Sequence, residues 1–311
     1  MMPHAPHGPP WPAAVGRVPC RILIAVHELA YPVQIKSDSP HENDSQARRN
    51  SEVWGRGDFI GHYTSRELRP AEVVFLVRYR DELQGRTLEL GCGAGRLTGY
   101  LIEMAHTVHG IDLSRAMVDY CKQTYPAGTF SVEDLRDVSR LGSESFDAVI
   151  ATYGVLDVLG DAERRRVLRA IGGVLAPGGL LMVSSHNLAY LPKLREPTDL
   201  RARNLVRRAG RLALMPLRLR NRRGALPLQQ FGSDYAVVND DAHNYQLLHY
   251  YISRDAQERQ LAEEGFEFVE CLDNEGRTVA PGESAPDWVE LYYVARRPTD
   301  SRGRRRASLR T

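Results

Sequence analysis

A glycine-rich turn follows a short apolar run near residue 90. The segment reads Leu88-Glu89-Leu90-Gly91-Cys92-Gly93-Ala94-Gly95, and helical patterning resumes at Arg96. Glycines at a strand-to-helix turn let backbone N–H groups approach a ligand closely, because no Cβ atom stands in the way. Asp112 ends the next predicted strand, where a carboxylate can accept hydrogen bonds from both hydroxyls of a ribose. We therefore expect a nucleotide-like cofactor at this turn.

The spacing of the glycines distinguishes two classes of cofactor. A dinucleotide site needs its third glycine at the sixth position of G-x-G-x-x-G, and counting from Gly91 that position is Arg96. The third glycine comes one residue earlier, at Gly95. Because S-adenosylmethionine has no pyrophosphate to accommodate, the tighter loop suits it better. Asp112 does not discriminate, since NAD enzymes use a carboxylate in the same way.

The apolar pattern around this turn alternates between strands and helices. Strands are predicted over 87–90, 107–111, 129–132, 146–152 and 180–183, and helices over 71–83, 96–104, 114–124 and 161–175. Such alternation predicts an α/β, doubly wound fold with a mostly parallel sheet. A later helix over 253–264 and strands over 266–272 and 288–295 add an antiparallel hairpin at the sheet edge.

Taken in order, these motifs resemble the class I S-adenosylmethionine-dependent methyltransferase family. The segments that carry the resemblance, besides residues 88–97, are Gly110-Ile111-Asp112-Leu113-Ser114, Val132-Glu133-Asp134-Leu135, Phe146-Asp147-Ala148-Val149-Ile150-Ala151 and Leu175-Ala176-Pro177-Gly178-Gly179. The resemblance covers about 60–187, with weaker support over 250–297. It implies a Rossmann-like, seven-stranded sheet and S-adenosylmethionine as the cofactor.

The resemblance also implies which residues hold the cofactor. Gly91, Gly93 and Gly95 would form the loop under the methionine part, and Glu89 would hold the loop or the amino group. Asp112 would bind the ribose. The positions implied around the adenine and the rest of the cofactor are Cys92, Leu113, Met117, Asp134, Leu135, Thr152, Tyr63 and Arg66.

Candidate catalytic residues follow the strands on the side where the acceptor should lie. Methyl transfer from a sulfonium needs mainly an aligned nucleophile and the exclusion of water. Tyr153 follows the fourth strand, His186 the fifth, and His243 lies in an aromatic stretch further on. His186 is the first candidate for a general base, because a neutral imidazole has a suitable pKa; a structural histidine is the alternative. The sequence shows no metal-ligand cluster.

Residues 188–250 break the alternation and predict a cap inserted into the domain. Lys193–Arg223 holds one Lys and ten Arg against Glu196 and Asp199, with apolar residues between them. A lid over the substrate is the preferred interpretation; contact with an anionic membrane surface or an acidic carrier protein through 193–223 stays open. A net charge of +2 and the absence of nucleic-acid-binding motifs give no support for a nucleic acid partner.

Composition sets the remaining expectations. We expect a flexible leader over 1–50, a methyltransferase domain over 51–298 and a disordered basic tail over 299–311. Four scattered cysteines predict neither disulfides nor a zinc site, which fits the cytoplasm. The expected activity is methyl transfer to an O or N atom of a small molecule such as a specialised metabolite. The alternatives are a cofactor-binding protein acting through its basic insert, or an RNA methyltransferase; the oligomeric state stays open.

Overall fold

The computed structural model describes residues 49, 50, 53, 67–194 and 214–299. Tyr63, Arg66, nearly all of the expected leader, the expected tail after 299 and the basic residues of 195–213 lie outside this part of the chain. Within the described residues, no helix is long and apolar enough to cross a membrane.

Helices and strands alternate through the first two thirds of the described chain. The helices are α1 (Pro70–Arg78), α2 (Thr98–Met104), α3 (Arg115–Thr124), α4 (Asp161–Val174), α5 (Leu191–Leu194), α6 (Met215–Ala225) and α7 (Arg254–Glu263). The strands are β1 (Arg86–Leu90), β2 (Thr107–Asp112), β3 (Thr129–Val132), β4 (Phe146–Ala151), β5 (Leu175–Asn187), β6 (Gln230–Phe231), β7 (Tyr235–Val238), β8 (His249–Ile252), β9 (Glu267–Leu272) and β10 (Glu290–Arg296).

Seven of these strands form the sheet that the sequence predicts. Strands β3, β2, β1, β4 and β5 are parallel neighbours in that order, with Glu89 of β1 opposite Gly110 of β2 and Ile150 of β4. Strand β10 pairs antiparallel with β5, and β9 pairs antiparallel with β10 at the edge. The prediction of a mostly parallel, doubly wound sheet with an antiparallel edge hairpin is confirmed.

Strand β4 is buried on both of its faces, which is why its sequence is an unbroken apolar run apart from Asp147. Val149 packs with the apolar face of α4, whereas Ile150 packs with α1 on the opposite side of the sheet. Successive strand residues point to opposite faces, so one strand contributes to two helix-covered cores.

Three strands in the segment expected to form a cap extend this sheet, and the sequence analysis did not predict them. Strand β8 pairs parallel with the end of β5, where His186 lies opposite Tyr251, and β7 and β6 follow antiparallel. At His186 the other edge of β5 is taken by β10. Strand β8 therefore lies on the edge of β5 that β4 occupies up to Val183, just beyond the carboxyl end of β4.

A buried arginine joins α4 to this part of the sheet. Arg164 is 0% exposed, and its Nη1 donates to Asp157 Oδ1 at 2.7 Å. Its other nitrogens donate to Gln257 Oε1 at 2.7 Å, to Gln260 Oε1 at 3.1 Å and to the hydroxyl of Ser185. The guanidinium thus links α4, β5, α7 and the 3-10 turn that follows β4.

Replacing Arg164 with Met is expected to lower the free energy of unfolding by about 3–5 kcal/mol, because Asp157 would stay buried without its cation. Arg259→Met is the matched control: Arg259 lies on α7 and pairs with Asp234, and both side chains are more than half exposed, so its loss should cost about 1 kcal/mol or less. Urea denaturation measures both. If both variants lost the same free energy of unfolding, Arg164 would not be the cation that stabilises the buried Asp157.

Candidate active site

A cavity of about 400 Å³ opens at the carboxyl ends of β1, β2, β4 and β5. This is the side of a parallel α/β sheet at which ligands bind, and the volume lies within the usual range of about 300–1,000 Å³ for small-molecule sites. The sequence-predicted cofactor residues that line it are Glu89, Gly91, Cys92, Gly93, Asp112, Leu113, Met117, Asp134, Leu135 and Thr152. The three candidate catalytic residues Tyr153, His186 and His243 line it as well.

Gly95 is the one described member of the predicted cofactor set that is not part of the cavity wall. Its φ is +79°, and a Cβ there would come within 2.3 Å of the Tyr125 ring. Gly95 therefore lets the loop pack against Tyr125. Gly93 differs: it also has a positive φ, +54°, but a Cβ there would meet no atom within 4 Å. The space beside Gly93 is open to a ligand.

Asp112 is held at the cavity wall by backbone groups. Its two carboxylate oxygens accept from the N–H of Gly93 at 2.9 Å and from the N–H of Ser114 at 2.8 Å. Burial raises the pKa of Asp112, although these hydrogen bonds oppose the shift. Ser114 occupies the N-cap of α3, but its hydroxyl makes no capping bond. That buried Oγ has no hydrogen-bond partner among the described residues, so it is a polar atom that a ligand can satisfy.

Glu89 lies beneath the glycine loop at the end of β1. Its side chain is buried, and Thr98 Oγ1 donates to its Oε2 at 2.5 Å. Burial raises the pKa of Glu89 to about 7, against the opposing effects of the Thr98 hydrogen bond and of Arg96. Near neutral pH the carboxyl group therefore exists in both protonation states.

Asp134 lies just after β3 and carries an ion pair that the sequence analysis did not anticipate. Arg136 Nη2 lies 2.6 Å from Asp134 Oδ2, and the Arg136 backbone N–H donates to Oδ1 at 2.9 Å. Burial would raise the pKa of Asp134, but Arg136 outweighs it and lowers the pKa. Arg136 also lines the cavity, so the predicted adenine contact is a carboxylate–guanidinium pair.

Tyr153 lies at the cavity wall, with two guanidinium groups close to its ring. Arg96 and Arg69 lie 4.8 Å and 5.5 Å from its ring centroid, and Arg96 is itself paired with the buried Glu72. The φ of Tyr153 is +68°, a conformation that costs energy for a residue with a Cβ. Thr152, just before it, donates to Glu72 Oε1 at 2.9 Å. Helix α1 thus fixes the turn after β4.

The Asp157 carboxylate holds both the ring and the backbone of His186. Asp157 Oδ2 lies 2.6 Å from His186 Nδ1 and also accepts the His186 backbone N–H at 2.8 Å. Burial lowers the pKa of His186, but Asp157, Glu290 and Asp240 outweigh that effect and raise it to about 9. In the absence of a ligand the ring therefore already carries a proton at pH 7. Its use as a general base remains a prediction.

A second histidine–carboxylate pair lies beside the first. His249 Nδ1 is 2.7 Å from Asp240 Oδ2, and the His249 and His186 ring centroids are 5.0 Å apart. Tyr251 donates its hydroxyl proton to Asp240 Oδ2 at 2.8 Å. Tyr250 and Tyr251 are buried, so these two members of the predicted aromatic stretch pack inside the protein.

Several cavity-lining residues were missed by the sequence analysis, namely Arg69, Glu133, Arg136, Asn274 and Glu290. Glu290 had a usable signal, because it is an acidic residue at the start of an otherwise apolar strand. It lies opposite His186 in the β5–β10 register. The others lie outside the α-helices and strands, where one sequence gives no periodicity to interpret.

A family model described as "Methyltransferase domain" matches residues 87–179. Residues 87–179 therefore belong to a methyltransferase domain. An uncharacterized methyltransferase of Oceanobacillus iheyensis is 31% identical to it over 99 residues, which are 32% of this chain and 46% of that protein. The ubiquinone biosynthesis O-methyltransferase of Xanthomonas axonopodis pv. citri is 27% identical over 124 residues, 39% of this chain and 51% of that protein.

The fold of the chain is also similar to that of a solved structure. The 1,6-didemethyltoxoflavin-N1-methyltransferase of Burkholderia thailandensis, solved with 1,6-didemethyltoxoflavin and S-adenosylhomocysteine, matches with a TM-score of 0.54. The match covers 86% of this chain and 94% of that one at 17% identity, a level at which the likeness concerns the fold. The chain spans about half the length of the curated relatives it matches, from 43% to 52% for three of them.

The raised pKa of Glu89 predicts that the free energy of unfolding falls as the pH rises, and that Glu89→Gln removes this loss. A carboxyl group whose pKa rises from 4.5 to about 7 on folding stabilises least above pH 7, since the folded state must then bury its charge. The variant should gain up to about 2–3 kcal/mol over the parent between pH 4.5 and pH 8, at about 1.4 kcal/mol per pKa unit. Urea denaturation at both pH values measures the difference; a constant difference would contradict the shift.

Proposed function

We propose that this methyltransferase domain transfers the methyl group of S-adenosylmethionine to an oxygen or nitrogen atom of a small molecule. The observation that carries the proposal is the continuity of one cavity. The glycine loop, Asp112 and Asp134 line one part of it, and Tyr153, His186 and His243 line another. A cofactor on the loop would therefore share a cavity with an acceptor near the histidines.

The residues of the loop end fit the proposed cofactor. Gly93 borders open space where a side chain would stand, Asp112 offers carboxylate oxygens for a ribose, and the Ser114 hydroxyl is free to accept or donate there. Leu113, Met117 and Leu135 supply apolar walls. The bound cofactor would supply an already activated methyl group, so the protein's task is binding and alignment.

Methyl transfer forms one bond, breaks another and can release a proton. A bond forms between the acceptor atom and the methyl carbon while the carbon–sulfur bond breaks, which leaves S-adenosylhomocysteine, and any proton on the acceptor atom must depart. Alignment and water exclusion account for most of the rate. With Nδ1 of His186 occupied by Asp157, Nε2 is the ring nitrogen left to meet the acceptor, and Tyr153 and His243 would position it.

The similar proteins support a small acceptor. One of them is named as a ubiquinone biosynthesis O-methyltransferase, for which the acceptor atom is oxygen. Another is named as a 1,6-didemethyltoxoflavin-N1-methyltransferase, for which the acceptor atom is nitrogen. The lid, membrane and carrier-protein roles expected for 193–223 remain predictions, because 195–213 lie outside the described residues. No observation on the described residues favours the binding-only or RNA alternatives.

S-adenosylmethionine at about 100 times its dissociation constant should stabilise the folded protein by about 3 kcal/mol, which raises the melting temperature by several degrees. Asp112→Ala should abolish this shift, because the ribose would lose its carboxylate. Asp119→Ala, an exposed position on the following helix, should keep it. Differential scanning fluorimetry provides the measurement. No shift in the parent protein would refute the proposed cofactor.

Turnover tests the acceptor end separately. A panel of small phenols, carboxylic acids and amines should include compounds from which the parent releases S-adenosylhomocysteine. Assayed above pH 9, where the His186 ring can accept a proton, His186→Ala should lower kcat about 100-fold or more, the lower range for a residue that handles the acceptor proton, while keeping the cofactor-induced melting shift. If the variant turns over like the parent, His186 has no catalytic role.

A further inference from the structure

We propose that His186, Asp240 and His249 bind a divalent first-row transition ion at the acceptor end of the cavity. One ligand atom from each lies within 4.8 Å of the other two. Two imidazoles and one carboxylate form the protein ligand set of catalytic zinc sites and of non-haem iron sites that keep open positions. The inference rests on the proposed function, since it specifies how that cavity meets the acceptor.

The three ligands come from adjoining strands. His186 lies near the end of β5, His249 begins β8, and Asp240 follows β7 by two residues. Strand β8 pairs with both neighbours, so His186 lies opposite Tyr251 and Val238 lies opposite His249. Metal–nitrogen bonds of about 2.1 Å require the more widely separated donors to close by roughly an ångström.

His186 already has the backing that metal-ligating histidines need, and the carboxylate ligand Asp240 is itself held in place. A ligating histidine usually gives its second ring nitrogen to a carboxylate, which fixes the ring orientation. Asp157 holds His186 Nδ1, and Arg164 holds Asp157 in turn. Asp240 is held on its side by the Tyr251 hydroxyl and by the Ala242 backbone N–H at 3.1 Å.

The charges around the group favour a cation. Asp157 is balanced by Arg164, whereas the ion pair of Asp240 among the described residues is with His249. Glu290, which is buried and lines the same end of the cavity, is hydrogen-bonded by the hydroxyls of Ser184 and Tyr292. A divalent ion would displace the proton that the His186 ring carries at pH 7, and it would then lie beside these carboxylates.

The donor set also indicates which ion. Two nitrogens and one oxygen suit Zn²⁺ or Fe²⁺, whereas Mg²⁺ and Ca²⁺ prefer oxygen ligands throughout. An ion with an open position toward the cavity would bind an acceptor oxygen and lower the pKa of its hydroxyl. The proton would then leave to solvent, and the oxygen would attack the methyl carbon. In that state His186 is a ligand, and no side-chain base is needed.

The test uses the full chain, stripped of metal with a chelator and then titrated with Co²⁺ or Zn²⁺. Calorimetry should show one ion per chain, and Co²⁺ should give the visible absorption of a low-coordinate nitrogen–oxygen site. His249→Ala and Asp240→Asn should each weaken binding at least 10-fold. His243→Ala is the matched control, since His243 lines the same cavity outside the group, and it should bind like the parent.

Two results would overturn the proposal: no stoichiometric binding by the parent, or unchanged binding in His249→Ala. The second would place the ion elsewhere, for example on the histidines near the amino terminus, which lie outside the described residues. The melting shift with S-adenosylmethionine is recorded on the same samples. A retained shift shows that each variant is folded, and it separates failure of the metal site from failure of the proposed methyltransferase.

Discussion

The buried pairing of Arg164 with Asp157 is the interaction on which the acceptor end of the cavity depends. Taking both charges out of water is costly, and such a pair is rarely the most stable way to fill a core. Here the pair fixes the position of His186. Asp157 uses one oxygen for Arg164 and the other for the ring and backbone of His186. A fault in the pair would therefore displace His186 as well as destabilise the fold.

The cofactor end is held by different means. Asp112 is fixed by backbone N–H groups of the glycine loop and of the start of α3, and Glu89 by a threonine hydroxyl below the loop. Glu89 lies in β1 and Asp112 ends β2, and these two strands pair from Arg86–Thr107 to Leu90–Ile111. The cofactor end and the acceptor end belong to one cavity, but separate hydrogen-bond networks hold their side chains in place.

The sequence predicted what local patterns encode. The five parallel strands are apolar runs separated by helices, and the family motifs place Asp112, Asp134 and Gly93 in one cavity because each follows a parallel strand. Gly95 shows the limit of that inference. Its spacing matches the motif, but the missing side chain makes room for the Tyr125 ring rather than for a ligand. Strands β6 to β8 have two to four residues each, and no α-helix separates them, so they lack the strand–helix alternation that marks β1 to β5.

The grouping of His186, Asp240 and His249 arises from sheet pairing rather than from local spacing. It depends on β8 meeting β5 through just two residue pairs, His186 with Tyr251 and Asn187 with Ile252. That short junction joins a segment absent from the seven-stranded pattern to the core strand that carries His186. Changes in the segment can therefore alter what the acceptor meets while the paired strands under the cofactor loop stay unchanged. Because the histidine and aspartate on this segment are the ones that would complete a metal site, gain or loss of an ion would change the acceptor chemistry without rebuilding the cofactor site.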